Sequence, residues 1–459
     1  MTVGVLPLNG IRILDASWVY AGPTCTRILA DMGADVIVVE NVNRLDTNRL
    51  WFPAENVMEQ FWNRAGYHNK RHMSKRGITL DLNHPKAVEA FKRLVAWADI
   101  LVESFSPRVL RNFGLDYPAL KEIRPDLIML SMSGFGQKGP RADWVAYGMG
   151  LDGLSGVAAI TGYEGGQPLR TAISYSDPIA GIFGAGAVLV ALAYKRRTGH
   201  GQYIDLSQME STLGFIGEAL MDHAMNQRVW PRTGNRDTSM APHNCYRCRG
   251  EDSWVAIAVA TDEEWGALRG VMGEPEWARD ERFATTLGRW QNQQELDALI
   301  ETWTHQHDHR DVEARLQSAG VPAAAVLNNK ELVGDPHLRA RRFFQLMDHA
   351  IIGKRLYPRQ VPAVFNGERA SARRMAPLLG EHNREVLRGI AGLSEEEVEQ
   401  LEQEGAIGTE PAYAPRITPQ FLANLQLPVD ALIKAGAIVG MDPDYRERQL
   451  EVAPEEDAG

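Results

Sequence analysis

Cysteine is scarce: Cys25, Cys245 and Cys248 are the only three in 459 residues. That is too few for a disulfide framework and points to a reducing setting, the cytoplasm. Cys245 and Cys248 form a C-x-x-C, but no second cysteine pair or matched histidine pair stands nearby to complete a zinc site. No metal is expected, and the two thiols read as packing beside the strand-like run Trp254–Val259. Positive charge is also short, with 49 Lys and Arg against 59 Asp and Glu and a net charge of −10. Nucleic acid and anionic membranes are therefore excluded as partners of the molecule as a whole. An anionic ligand would need a local basic site or a helix N-terminus. Long hydrophobic runs are lacking except from Pro178 to Tyr194, which sits at the short limit for a membrane span and is rich in Gly and Ala, so it reads as a buried helix. The N-terminus shows no basic flank before an apolar stretch, and no signal peptide is expected. No G-x-G-x-x-G separates the first strand from the first helix, which removes the dinucleotide fingerprint.

What is present is the composition of a soluble globular chain, 44% hydrophobic and 24% charged, long enough for two or three domains. "GIRILDAS" reads as a strand, "TCTRILADM" as a helix and "GADVIVVE" as a second strand, which makes a β-α-β unit. The alternation continues through "GITLDL", "HPKAVEAFKRLVAWA", "DILVESF", a helical stretch at Pro118–Ile123, and "DLIMLSMS". A doubly wound α/β sheet follows, and its ligands bind outside the carboxyl ends of the strands. Those ends carry the loops "ASWVYAGP", "ENVNR", "ESFSPR" and "SGFGQKGP". "GHGQYIDLSQMESTLGFIGEALMDHAM" supplies one more strand and a long helix. The expected division is a large Rossmann-like domain over residues 1–226, a small α+β domain over 227–332, a return to the large domain over 333–409, and a Pro-linked extension over 410–459 with a helix at Leu422–Ala437. The acidic end "PEEDAG" is expected to be disordered.

"SYSDPIAGIFGAG" raises the main chemical question. Asp-Pro ahead of a helix is an ordinary start, with the acid as cap and the proline in the first turn. By that reading Asp177 only caps a small-residue helix.

The motif order alters the balance. "LNGIRILDASWVYAGPTCTRILADMGADVIVVE", "SKRGITLDLNHPKA", "ADILVESFSPRVLRNFGLDY", "SMSGFGQKGP", Asp177 before its small-residue helix, "TGHGQYIDLSQMES" and "PLLGEHNREVL" together resemble the class III CoA-transferases, over about Leu8 to Gly408. That family includes formyl-CoA:oxalate and carnitine CoA-transferases, with α-methylacyl-CoA racemase as a relative. The resemblance implies a Rossmann-like large domain, a smaller α+β domain and an interlocked homodimer. It implies that Asp177 is the nucleophile that passes CoA from an acyl-CoA donor, succinyl-CoA being common, to a small carboxylic acid through an anhydride and an aspartyl-CoA thioester. The helix dipole would keep the carboxylate ionised, and Ala180, Gly181 and Gly184 would let substrate crowd close. Val19, Tyr20 and Ala21 match positions that touch CoA or the acyl pocket, and Leu80, Asn83, Ser104 and Phe105 match further contacts, although Leu80 and Phe105 read equally as core.

The chain departs from the family in its basic residues. Asn41 follows Glu40 where an arginine is usual, with Arg44 nearest. Ser106-Pro107-Arg108 replaces Arg-Pro-Gly, and Asn112 holds another arginine position beside Arg111. Asn41, Arg108, Arg111 and Asn112 are carried as CoA contacts. Lys70, Arg71, Lys75 and Arg76 of "HNKRHMSKR" are either further phosphate partners or a solvated face. Tyr147 stands where the racemase has its histidine and is a poor base near neutral pH. Gly148 stands where formyl-CoA transferases have glutamate, and no glycine-rich lid occurs in 227–332. A more apolar acceptor acid is expected, with Tyr20, Tyr147, Gly148, Met240 and His243 as pocket candidates. A racemase or isomerase, and a non-catalytic CoA-binding subunit of a heteromer, remain alternatives.

Overall fold

The first β-α-β unit is β1 (Arg12–Asp15), α1 (Ala21–Asp31) and β2 (Asp35–Glu40) in the computed structural model, which describes residues 6–50, 59–412, 433–434 and 440–453. Ala21, Gly22 and Pro23 already belong to α1, where the missing N–H of Pro23 falls among those a first turn leaves open. β3 (Lys75–Thr79), β4 (Ile100–Glu103), β5 (Ile128–Ser131) and β6 (Tyr203–Asp205) follow. All six strands are parallel, in the order β3-β2-β1-β4-β5-β6. The connecting helices used below are α2 (Gly66–His72), α3 (Pro85–Trp97), α4 (Arg108–Asn112), α5 (Tyr117–Ile123), α6 (Gly148–Leu154), α7 (Ser176–Thr198), α8 (Gln208–Leu213) and α9 (Gly217–Asn226).

Successive strand residues face opposite sides, and both sides are covered. Leu14, Ile37, Ile78, Leu101 and Met129 pack with Phe91 and Leu94 of α3, and with Val386, Leu387, Val398 and Leu401 near the C-terminus. Ile13, Val36, Ile100, Val102, Ile128 and Leu130 pack with α1 and with Ala180, Ala185, Val188 and Ala191 of α7. The late segment is tied to the edge of the sheet: Asn383 Oδ1 accepts from Thr79 N at 2.8 Å, and Gly408 O accepts from Thr79 Oγ1 at 2.8 Å.

Two sequence expectations change here. Instead of one long helix after β6, α8 and α9 are separated by a tighter turn at Gly214–Ile216, with Gly214 and Gly217 at its ends. Helix α7 is not buried all round. Ala180, Gly181, Gly184, Ala185 and Ala191 face inward, while Ile182, Phe183 and Val190 are 60%, 50% and 69% exposed. By length and composition alone, this helix could cross a membrane.

The chain divides into two units, one of residues 1–157, 171–221 and 334–459 and the other of 158–170 and 222–333. Within the second, β7 (His243–Arg247), β8 (Trp254–Ala258) and β9 (Ala323–Val326) form an antiparallel sheet in that order. Tyr246, Val255, Ile257, Trp265, Leu268, Leu296 and Val312 make its core. Residues 158–170, assigned by sequence to the large domain, are held in this unit because Arg232 donates to Ala159 O and Gly166 O, both at 3.0 Å. Cys245 is half-buried and Cys248 buried, and burial pushes both thiols up, Cys248 to about 11. Most of the expected linker and helix at Leu422–Ala437, and the acidic end, lie outside the described residues.

Candidate active site

Strand order reverses between β1 and β4, the place where an open α/β sheet leaves a crevice at its carboxyl ends. A cavity of about 630 Å³ lies there. Val19 and Ala21 wall it after β1, Asn41 and Arg44 after β2, Leu80 and Asn83 after β3, and Ser104, Phe105 and Arg108 after β4. Tyr147, Gly148 and Asp177 complete that part of the wall. Leu80 serves both cavity and core, at 1% exposure. Tyr20, Arg111 and Asn112 are not among the lining residues, and Arg111 and Asn112 are exposed on α4. Met240 and His243 belong to the second unit, where a ring nitrogen of His243 bonds the Asn235 carbonyl.

Arg44 and Arg108 are the cations of the wall. Both are exposed, and among the described residues neither is in an ion pair. The amides of Asn41, Asn43 and Asn83 converge on the Asp81 carboxylate at 3.2, 2.8 and 2.8 Å. Burial opposes ionisation of Asp81, but these bonds and the Asn83 N–H outweigh it and hold the acid below the usual carboxylate range.

Asp177 does not cap α7, contrary to expectation. The helix begins at Ser176, with Tyr175 in the cap position and Asp177 in the first turn. The cap comes from Asp152 of α6, whose Oδ1 accepts from Ser176 N at 3.2 Å and from its hydroxyl, while Oδ2 accepts from Ser174 Oγ at 3.0 Å. Asp177 is thereby left free of the capping task. Burial pushes it up to about 6; Arg71's charge opposes the rise, Asp152's adds to it, and hydrogen bonds from Ser174 and its own N–H oppose it. The helix terminus thus fails to hold Asp177 at an ordinary carboxylate value, although it stays mostly ionised at neutral pH. Gly148 lies against it: a Cβ there would collide with Asp177 Oδ2 and Ser174 Oγ. Gly181 and Gly184, expected to make room for substrate, instead admit the neighbouring elements. A Cβ on Gly181 would stand 2.8 Å from Ala21 O, and one on Gly184 would stand 3.0 Å from Met132 Cε.

The first loop is built with strain. Val19 has φ +68°, a left-handed conformation costly for a β-branched residue. Asp46 accepts from Val19 N at 3.1 Å, and Asn48 Nδ2 donates to Val19 O. Burial pushes Asp46 up to about 6. Trp18 N donates to Ser104 Oγ at 3.1 Å, and the Trp18 and Phe105 rings meet edge-on at 5.5 Å.

"HNKRHMSKR" is neither a solvated face nor a phosphate cradle. Lys75 is fully buried, 3.0 Å from Asp15 and 2.7 Å from Thr26 Oγ1. Arg76 pairs with Asp35 at 2.7 Å and Glu385 at 2.9 Å. Arg71 is 5% exposed; it donates to Asn48 Oδ1 at 2.7 Å and lies over the rings of Tyr20 at 3.6 Å and Tyr67 at 4.3 Å. The spacing of this stretch hid the burial, because it spans two elements: α2 turns Arg71 inward, and β3 carries Lys75 and Arg76 to their carboxylates. Asp152 was also missed, although a lone acid within "GLDGLSG" marked it.

A parallel sheet with a carboxylate and two exposed arginines at its switch point is the kind of site that receives an anionic ligand. The chain belongs to CoA-transferase family III, whose profile matches residues 8–383, and it is a CoA-transferase. It is 34% identical over 401 residues to succinyl-CoA–D-citramalate CoA-transferase of Chloroflexus aurantiacus, covering 87% of this chain and 98% of the relative. The succinyl-CoA–L-malate CoA-transferase beta subunit of the same organism is 32% identical, covering 88% of this chain and 99% of the relative. The crystal structure of a CAIB/BAIF family protein from Brucella suis matches with TM-score 0.76 at 31% identity, covering 84% of this chain and 99% of that one.

Proposed function

We propose that Asp177 is the nucleophile of a CoA transfer from an acyl-CoA donor, succinyl-CoA by analogy with the relatives' names, to a carboxylic acid. The observation that carries this reading is a half-buried carboxylate in the wall of the switch-point cavity, relieved of capping by Asp152 and pressed against a glycine. An Asp177 oxygen attacks the thioester carbonyl and the C–S bond breaks, leaving an aspartyl anhydride and CoA thiolate. The thiolate attacks the aspartyl carbonyl and expels the donor's carboxylate, giving an aspartyl-CoA thioester. The acceptor carboxylate attacks that thioester and frees the thiolate, which then takes the acceptor acyl group and restores Asp177. One negative charge moves through every step, with no water and no net proton.

Val19, Ala21, Asn41, Leu80, Asn83, Ser104, Phe105 and Arg108 are proposed to contact CoA, with Arg44 added, while Tyr147 and Gly148 flank the acyl group. The apolar wall of Trp144, Val145 and Ala146 favours an acceptor with an apolar body, whereas the two Chloroflexus relatives are named for hydroxydicarboxylic acids. A panel of both acid types with succinyl-CoA as donor separates these. A cytoplasmic location is proposed from the low cysteine content, and an interlocked homodimer from the exposed apolar face of α7; light scattering of the purified chain tests the latter. A second subunit, as in the relative named a beta subunit, would appear as activity only after mixing.

The central test is mass spectrometry after incubation with acyl-CoA donors. CoA attached at Asp177, removed by hydroxylamine and missing in Asp177→Ala, is the expected result, with activity down at least about 10⁴-fold. Activity retained by Asp177→Ala overturns the mechanism. The acid limb of kcat/KM is expected near pH 6, since the nucleophile must be ionised.

A further inference from the structure

We propose that Arg71 is a positioning residue of the transfer reaction: its guanidinium locks the left-handed Val19–Tyr20 turn and presents an unpaired positive charge to Asp177.

Arg71 lacks what the other buried cations have. Arg27 has Asp31 at 2.8 Å, Arg49 has Glu40 at 2.6 Å and Lys75 has Asp15 at 3.0 Å. Among the described residues, Arg71 has no carboxylate within ion-pair distance, and its Nε has no hydrogen-bond partner. Its contacts are the Asn48 amide oxygen, a hydrogen bond to the Tyr20 side chain and two aromatic faces, none of them a carboxylate. An unpaired charge in the interior is costly. Bonding Asn48 needs only one N–H, which a neutral side chain could supply, so packing alone does not explain the guanidinium.

Two features link it to the reacting carboxylate. The first is mechanical: Arg71 bonds Asn48, Asn48 bonds Val19 O, and Arg71 covers Tyr20. Val19 and Ala21 on either side wall the same cavity as Asp177. Ala21 O lies against Gly181, one turn along α7 from Asp177. The second is electrostatic. Among the described residues, the charged groups that act most strongly on Asp177 are Arg71 of α2 and Asp152 of α6, and the α1 residues nearest Gly181, Ala21 and Thr24, carry no charge. Asp46 also feels Arg71, but its oxygens are already engaged by Val19 N, Asn48 N and the Asn48 amide. Asp152 is committed to the helix cap. The charge that shuttles among Asp177, the thiolate and the leaving carboxylate therefore stays within reach of one fixed cation, which favours each ionised species over the neutral acid.

This inference rests on Asp177 being the nucleophile, so Asp177→Ala is assayed alongside. The full-length enzyme, Arg71→Met and Arg71→Lys are compared for kcat and KM from pH 5 to 10 with succinyl-CoA and a working acceptor. In Arg71→Met the acid limb is expected to move up by about one pH unit, with kcat at pH 7 down about 10- to 100-fold and KM within about 3-fold. Arg71→Lys should keep the wild-type acid limb and gain an alkaline limb that wild type lacks, because a buried ammonium titrates below its ordinary range. An unmoved acid limb in a folded Arg71→Met overturns the proposal. If that variant does not fold, Arg71→Lys decides, and the absence of its alkaline limb overturns it. Loss of activity in Asp177→Ala with an unmoved limb in Arg71→Met defeats this inference alone, whereas activity in Asp177→Ala defeats the nucleophile reading itself.

Discussion

Two sets of cations serve the large unit, one inside it and one at the carboxyl ends of its strands, and they behave oppositely. In the interior, Arg27 of α1, Arg49 after β2 and Lys75 at the start of β3 are almost fully buried, and each meets a carboxylate within 3.0 Å. At the mouth of the cavity, Arg44 and Arg108 are exposed and have no ion pair among the described residues. The guanidinium of Arg44 lies over the Trp18 ring, 5.8 Å from its centroid. Charges taken out of water are tolerated only with partners, so the first set spends its electrostatics on shape. The second is the set proposed to meet the phosphates of CoA, since an acidic molecule offers an anionic ligand only such local positive charge. Arg71 sits between the two, buried like the first and unpaired like the second.

The sharpest break of that contrast is Lys75→Met, which strands Asp15 in the interior. Removing one partner of a buried pair should cost about 3–5 kcal/mol, read as a lower denaturation midpoint in urea. A change under about 1 kcal/mol would mean the pair is not structural.

The next effect concerns geometry rather than charge. Gly148→Ala should cut kcat by about 100-fold while shifting Tm little, because its methyl would meet the Asp177 carboxylate, which must move to admit it. Wild-type turnover in a folded Gly148→Ala would place the reacting carboxylate elsewhere.

The smallest effect is expected at the mouth. The double variant Arg44→Ala/Arg108→Ala should raise KM for acyl-CoA about 10-fold at low salt and less at high salt, with kcat within about 2-fold. A salt-independent KM would show that these arginines do not hold the phosphates.

Much of this was legible in advance. Alternating apolar runs and amphipathic helices specified the β-α-β units, and both faces of β1, β2 and β4 are covered as their continuous apolar composition requires. Asp177 is singled out as a candidate by the order of motifs around it, and it lies in the cavity wall. The exchange of roles with Asp152 was not, because capping is decided by which carboxylate reaches the Ser176 N–H, and Asp152 arrives from another helix. "HNKRHMSKR" misled for the same reason, since a charge run has no visible partners until Asp15, Asp35 and Glu385 are folded around it.

The sequence by itself determined the elements, the parallel α/β class and the scarcity of positive charge, because propensity, periodicity and composition are local, while the candidate nucleophile came from the resemblance of its motif order to a family. The tertiary structure alone decided strand order, the cavity at the β1–β4 reversal, the inward turn of Arg71 and the release of Asp177 from capping. Those depend on contacts between residues far apart in the chain, where burial sets which charges must be paired and which are left to react.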